Sequence, residues 1–71
     1  MTRYLIIIEK AAAGFSAYSP DVPGCVSTGT SPSDAQANMR EAIASHFDEL
    51  REMGDPVPQP TSVAAYVEVA A

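Results

Sequence analysis

The apolar residues of this chain fall into groups whose spacing changes from two to three-and-four and back to two. From Thr2 to Glu9, the core Tyr4-Leu5-Ile6-Ile7-Ile8 is apolar on both alternating faces, the pattern of a strand with a neighbour on each side. Lys10-Ala11-Ala12-Ala13-Gly14 interrupts it and ends in a glycine able to take positive φ, after which Phe15-Ser16-Ala17-Tyr18 alternates as a second strand. The two are expected to form a hairpin. Pro20 lacks the donor a ladder needs and ends that strand, and Val22-Pro23-Gly24-Cys25 has proline then glycine at the two central positions of a type II turn. A short third strand over 25–28 follows, with Gly29 loosening its end.

The spacing then lengthens. Ser31 reads as an N-cap, Pro32 as the first helical position and Asp34 as negative charge in the first turn. Ala35, Met39, Ala42, Ile43, Phe47, Leu50 and Met53 recur at intervals of three and four, predicting a helix over 32–53 with one apolar stripe to lay on a sheet. Gly54 is the expected C-terminal cap, and Pro56, Pro58 and Pro60 make an extended linker. Val63, Ala65, Val67 and Val69 alternate with Tyr66 and Glu68, which predicts a last strand.

The expected architecture is therefore α+β, a single βββαβ domain over residues 1–71. Two hairpins make the first and third strands parallel, and a right-handed crossover returns the fourth beside the first. This gives a four-stranded mixed sheet of order 3-2-1-4 with the helix on one face. It also places the most apolar strand in the interior.

A domain of 71 residues buries only about 60% of the surface its unfolded chain exposes, so extra support is expected. One cysteine excludes an internal disulfide, and Cys25 with a single histidine, His46, excludes a structural zinc of cysteines and histidines. Self-association is left. Leu5 and Ile7 lie on the strand face the helix leaves open, while Tyr66 and Val67 sit on a last strand without proline or lysine to discourage pairing. These four mark the expected interface of a homodimer, or of a dimer of dimers. The N-terminal apolar run of five residues is shorter than a signal peptide's core of about 7–15 or a membrane span of about 20. A soluble cytoplasmic protein is expected, in keeping with its one free cysteine.

Nine acidic against four basic side chains give a net charge of −5, and Arg3, Lys10, Arg40 and Arg51 are scattered along the chain. Nucleic-acid binding needs several cations acting together on phosphates, so none is expected of this chain alone. The acid excess suits a basic protein partner, or serves solubility.

No constellation for catalysis emerges. His46 adjoins the apolar stripe and reads as a packing residue before a base, and Cys25 has no cationic neighbour to activate it. The glycines are accounted for by turns and caps, and no cofactor or metal is implied. Asp21 either accepts hydrogen bonds within the turn or faces a partner.

The run Tyr18-Ser19-Pro20-Asp21-Val22-Pro23-Gly24-Cys25 resembles the proline-aspartate-x-proline-glycine-cysteine signature of the HicB family. Thr28-Gly29, Ser31, Ala35, Asn38, Glu41-Ala42, Leu50, Gly54, Pro58 and Pro60 extend the similarity over nearly the whole chain. The resemblance implies a reduced ribonuclease-H-like fold and an antitoxin that neutralises HicA, a small basic RNA-cleaving toxin, by covering its active surface. On that reading Asp21, Pro23, Gly24, Glu41, Asp48 and Glu52 are the candidate toxin contacts. Glu9 alone cannot hold two metals, so no nuclease activity is expected. Many members continue into an operator-binding segment, whereas this sequence stops at Ala71, so operator binding is not expected of it. The alternative is an orphan HicB-like module that assembles with itself and regulates without a toxin.

Overall fold

The computed structural model describes residues 1–71. Three strands and one helix form, in the order β1 (Ile7–Ala11), β2 (Gly14–Tyr18), β3 (Val26–Gly29) and α1 (Pro32–Glu52). The sheet is antiparallel throughout, with β2 in the middle. Ala12 and Ala13 make the first turn, and Gly14 leaves it at φ 114°. Gly24 sits at φ 78° and the Cys25 amide donates to the Val22 carbonyl at 3.4 Å, the conformation and closing bond of a type II turn.

Alternation divides the sheet into two faces. One cross-strand row, Ile8–Ala17–Ser27, meets the helix, and the next, Ile7–Tyr18–Val26, faces away from it. On the helix side Ala17, Val22, Cys25, Ala35, Met39 and Phe47 are buried, with Tyr4, Ile6, Ile8, Ile43 and Leu50 packed around them. Only seven of 71 residues are buried, so this core is thin. The stripe on α1 matches the predicted one except at Met53, which caps the helix and is 65% exposed.

Both ends of α1 are closed by their own residues. Ser31 Oγ accepts from the Asp34 amide at 3.1 Å, and the Asp34 carboxylate accepts from the Thr30 amide at 2.8 Å. At the other end Gly54 takes φ 74°, donating to the Arg51 carbonyl while Asp55 donates to that of Leu50, which completes a Schellman motif. Two side chains pin α1 to β3: Ser27 Oγ donates to the Ala35 carbonyl at 3.0 Å, and Asn38 Nδ2 to the Thr28 carbonyl at 2.8 Å.

The expected four-stranded mixed sheet of order 3-2-1-4 does not form. Residues 63–69 belong to no strand, and no backbone hydrogen bond joins them to the rest of the chain. The first strand is consequently an edge strand and not an interior one. The linker explains why. Tyr4 Oη donates to the Pro58 carbonyl at 2.6 Å, and Asp21 holds Thr61 and Ser62, so the chain is fixed at both points before the last segment departs. The radius of gyration of 13.8 Å exceeds the roughly 11 Å of a compact chain this long, as an outlying segment requires.

Candidate interaction surface and family membership

The residues with interaction potential lie on three parts of this frame. The first is the exposed side of α1. Glu41, Asp48 and Glu52 are separated by seven and four residues, which brings all three onto one stripe, and all are exposed. Asp48 also accepts from Arg51 Nη1 at 3.3 Å; with both side chains well exposed the pair adds little stability.

The second is the turn between β2 and β3. Pro23 and Gly24 are exposed at its tip. Asp21, half-buried beside them, accepts four hydrogen bonds from residues forty positions on. Oδ2 takes the amides of Thr61 and Ser62 at 3.2 and 3.1 Å, and Oδ1 takes their hydroxyls at 3.0 and 2.9 Å. The Ser62 amide is the main reason its carboxyl titrates below the ordinary aspartate range, with both hydroxyls and the Thr61 amide adding to it against some desolvation. A pKa depressed in the folded state means that the carboxylate supports this clamp above pH about 4 and releases it as pH falls through the folded value. We therefore expect the Thr61 and Ser62 amides to lose their protection against hydrogen exchange on acidification below that range, and in Asp21→Ala at neutral pH. Amides of α1 should be unaffected; equal loss in both regions would show that Asp21 supports the whole fold and not the linker.

The third part is formed by two grooves. One, of about 1070 Å³, runs between the N-terminal segment and α1 and is lined by Arg3, Tyr4, Arg40, Phe47, Asp48 and Arg51 among others. Three of the four basic side chains thus line one groove, although they are scattered along the sequence. The other, of about 490 Å³, separates Leu5–Ile8 from 63–66 and is lined by apolar residues alone. Leu5, Ile7 and Tyr66 line it, whereas Val67 lies just beyond and is 85% exposed.

Little here suits catalysis. Cys25 is buried, and burial pushes its thiol up, away from the reactive thiolate. His46 is half-buried with its ring 6.3 Å from that of Phe47, in a packing position. No three of the histidine, cysteine, aspartate and glutamate side chains converge as metal ligands, and no helix is long and apolar enough to cross a membrane.

Residues 4–70 match the model of the HicB-like antitoxins of bacterial toxin–antitoxin systems. The chain belongs to the HicB-like antitoxin family. Solved structures of similar shape agree. A chain of a complex between toxin HicA3 and antitoxin HicB3 superposes with a TM-score of 0.73 at 38% identity, over 84% of this chain and 70% of that one. The N-terminal domain of the Burkholderia pseudomallei antitoxin HicB superposes equally well at 33% identity, over 83% of this chain and 70% of that domain. An uncharacterized 14.9 kDa protein of Haemophilus phage HP1 is 38% identical over 64 residues, which is 90% of this chain and 48% of the phage protein. This HicB-like chain thus spans about half the length of that relative. Membership of an antitoxin family points to a regulatory protein and not a catalyst.

The turn Pro20–Cys25, which carries the family resemblance, is therefore also where the linker is clamped. Sequence reasoning left the role of Asp21 open between turn and partner. Within the chain its carboxylate bonds run past the turn to Thr61 and Ser62.

Proposed function

We propose that this HicB-like chain is an antitoxin that binds a small basic HicA-like RNA-cleaving toxin in the cytoplasm and holds it inactive, without chemistry of its own. The similarity to a chain of the HicA3–HicB3 complex carries the reading, since that assembly contains a toxin and an antitoxin together. Charge adds to it. The net charge of −5 draws a basic partner, and Glu41, Asp48 and Glu52 form an exposed acidic stripe for it to meet, with Pro23 and Gly24 as further contacts and Asp21 setting the position of the linker beside them.

The test is titration of a purified HicA-like toxin with this chain, following both complex formation and RNA cleavage. Cleavage should stop near equivalence. Reversing the stripe in Glu41→Lys/Asp48→Lys/Glu52→Lys should weaken the complex by tenfold or more, about 1.4 kcal/mol for each factor of ten, mostly at low salt. Failure of the unmodified chain to bind or inhibit such toxins would overturn the reading.

Self-association is a second part of the proposal. The row Ile7–Tyr18–Val26 is left uncovered, with Val26 70% exposed, and the apolar last segment stands free beside it, which favours a homodimer or a dimer of dimers using Leu5, Ile7, Tyr66 and Val67. The same feature supports the alternative of an orphan module that assembles without a toxin.

A further inference from the structure

Two apolar stretches of this chain present backbone groups without hydrogen-bonding partners. The first is the outer side of residues 4–8. β1 pairs with β2 on one side only: the Leu5 carbonyl turns inward and accepts from Ser19 Oγ at 2.7 Å, and the alternating backbone groups of Ile6 and Ile8 face outward without partners. The second is the last segment, where Val63, Tyr66, Val67 and Val69 are each at least 77% exposed and no backbone bond is made. Half-buried amides left unpaired are costly, and an apolar strand edge without proline, bulge or inward charge is a template for another strand. Proteins seldom leave both exposed together.

The segment does not satisfy its own chain's edge, although it passes close by. Asp21 fixes Thr61 and Ser62, and from there residues 63–66 run alongside Leu5–Ile8 with the apolar crevice between them. What fills such a crevice must be extended, alternating and nearly uncharged. Val63–Val69 has these properties, with Glu68 its only charge.

We propose that two copies of this chain exchange their last segments, each Val63–Val69 entering the crevice of the other and pairing with the free edge at Leu5–Ile8. The arrangement is isologous: a segment given is matched by one received, so the contact closes at two copies and does not run on into fibres. It supplies main-chain partners to the outward-facing amides of Ile6 and Ile8 and covers Val67 and Val69. It also brings the second copy against Ile7, the end of the uncovered row. The clamp at Asp21 acts as the hinge, because it sets the direction in which the segment leaves its own chain. The inference rests on the dimer proposed above and is independent of toxin binding.

The experiment uses the full chain without toxin. Equal parts of carbon-13-labelled and unlabelled protein are mixed after unfolding and refolding, and isotope-filtered NOEs are recorded at a concentration where sedimentation gives the dimer mass. Contacts between the methyls of Leu5 or Ile7 on one chain and those of Val67 or Val69 on the other are expected. Val67→Pro, which removes a ladder donor, should raise the dimer dissociation constant by about a hundredfold or more while the helical circular dichroism stays unchanged, since residues 63–69 are exposed and make no backbone bond. A dimer whose Leu5–Val67 contacts are absent or lie within one chain would overturn the exchange and leave dimerisation standing. So would a dimer that Val67→Pro does not weaken. A stable monomer at micromolar concentration overturns both, and neither result bears on toxin inhibition.

Discussion

Phe47→Ala should cost about 2–5 kcal/mol of stability, a large part of the roughly 4–11 kcal/mol expected of 71 residues. Phe47 is 7% exposed and is one of only six apolar side chains that are buried, so few neighbours can relax into the space it leaves. Its ring also meets the Tyr4 ring edge-on, with centroids 5.2 Å apart and planes at 64°, an arrangement worth about 0.5–1.5 kcal/mol beyond burial. Because Tyr4 Oη holds the Pro58 carbonyl, the truncation should loosen the linker as well as the core. Leu50→Ala, at a half-buried position, should cost less. Urea unfolding followed by circular dichroism reads both; losses below about 0.5 kcal/mol at each would mean that α1 presents a different face to the sheet.

Phe47 belongs to the part of the molecule that can be read from spacing alone. A helix that lies on a sheet must carry its apolar residues at intervals of three and four, and Ala35, Met39, Ile43 and Phe47 do. Its ends are equally local, since Ser31 and Gly54 act through hydrogen bonds to residues within a few positions. The first strand shows where such reading stops. Tyr4 to Ile8 is apolar on both faces, which was reason to expect an interior strand, yet β1 lies at the edge. Alternation records that both faces need cover, and it is silent on whether the cover comes from the same chain. The last segment was misplaced for the same reason: its period of two is genuine, but nothing in residues 63–69 specifies which edge they pair with.

The candidate surface was legible where it follows from helical periodicity, as with Glu41, Asp48 and Glu52, and obscure where it depends on chain crossings. Arg3, Arg40 and Arg51 are far apart in sequence and line one groove only because the N-terminal segment runs beside α1. The clamp from Asp21 to Thr61 and Ser62 spans forty residues, a distance at which no local rule applies. What a sequence offers at such a point is a residue type able to accept several hydrogen bonds, without the identity of the donors.

Gly29→Ala should destabilise the fold by about 2–3 kcal/mol, a larger loss than a single methyl group at a half-buried strand end suggests. Gly29 reads in the sequence as a residue that loosens the end of a strand, and its conformation demands no glycine, since its φ is not positive. The reason for it lies across the interface. A Cβ at this position would stand 2.8 Å from the Ala35 Cα and closer still to the Ala35 nitrogen, against backbone that cannot rotate aside. Ala35 is itself fully buried, and the Ser27 and Asn38 hydrogen bonds hold α1 to β3 on either side of it. An added methyl must therefore lift the first turn of the helix and strain both bonds, each worth about 0.5–1.5 kcal/mol. Gly24→Ala is the control: nothing lies within 4 Å of its Cβ, so its cost is confined to the backbone at φ 78°, about 1–2 kcal/mol. Denaturation of the two variants side by side, with the amide shifts of Thr28 and Ala35 monitored, separates collision from strain. If Gly29→Ala lies within about 0.5 kcal/mol of the unmodified protein and those shifts do not move, the close approach of β3 to α1 is not a constraint on the fold.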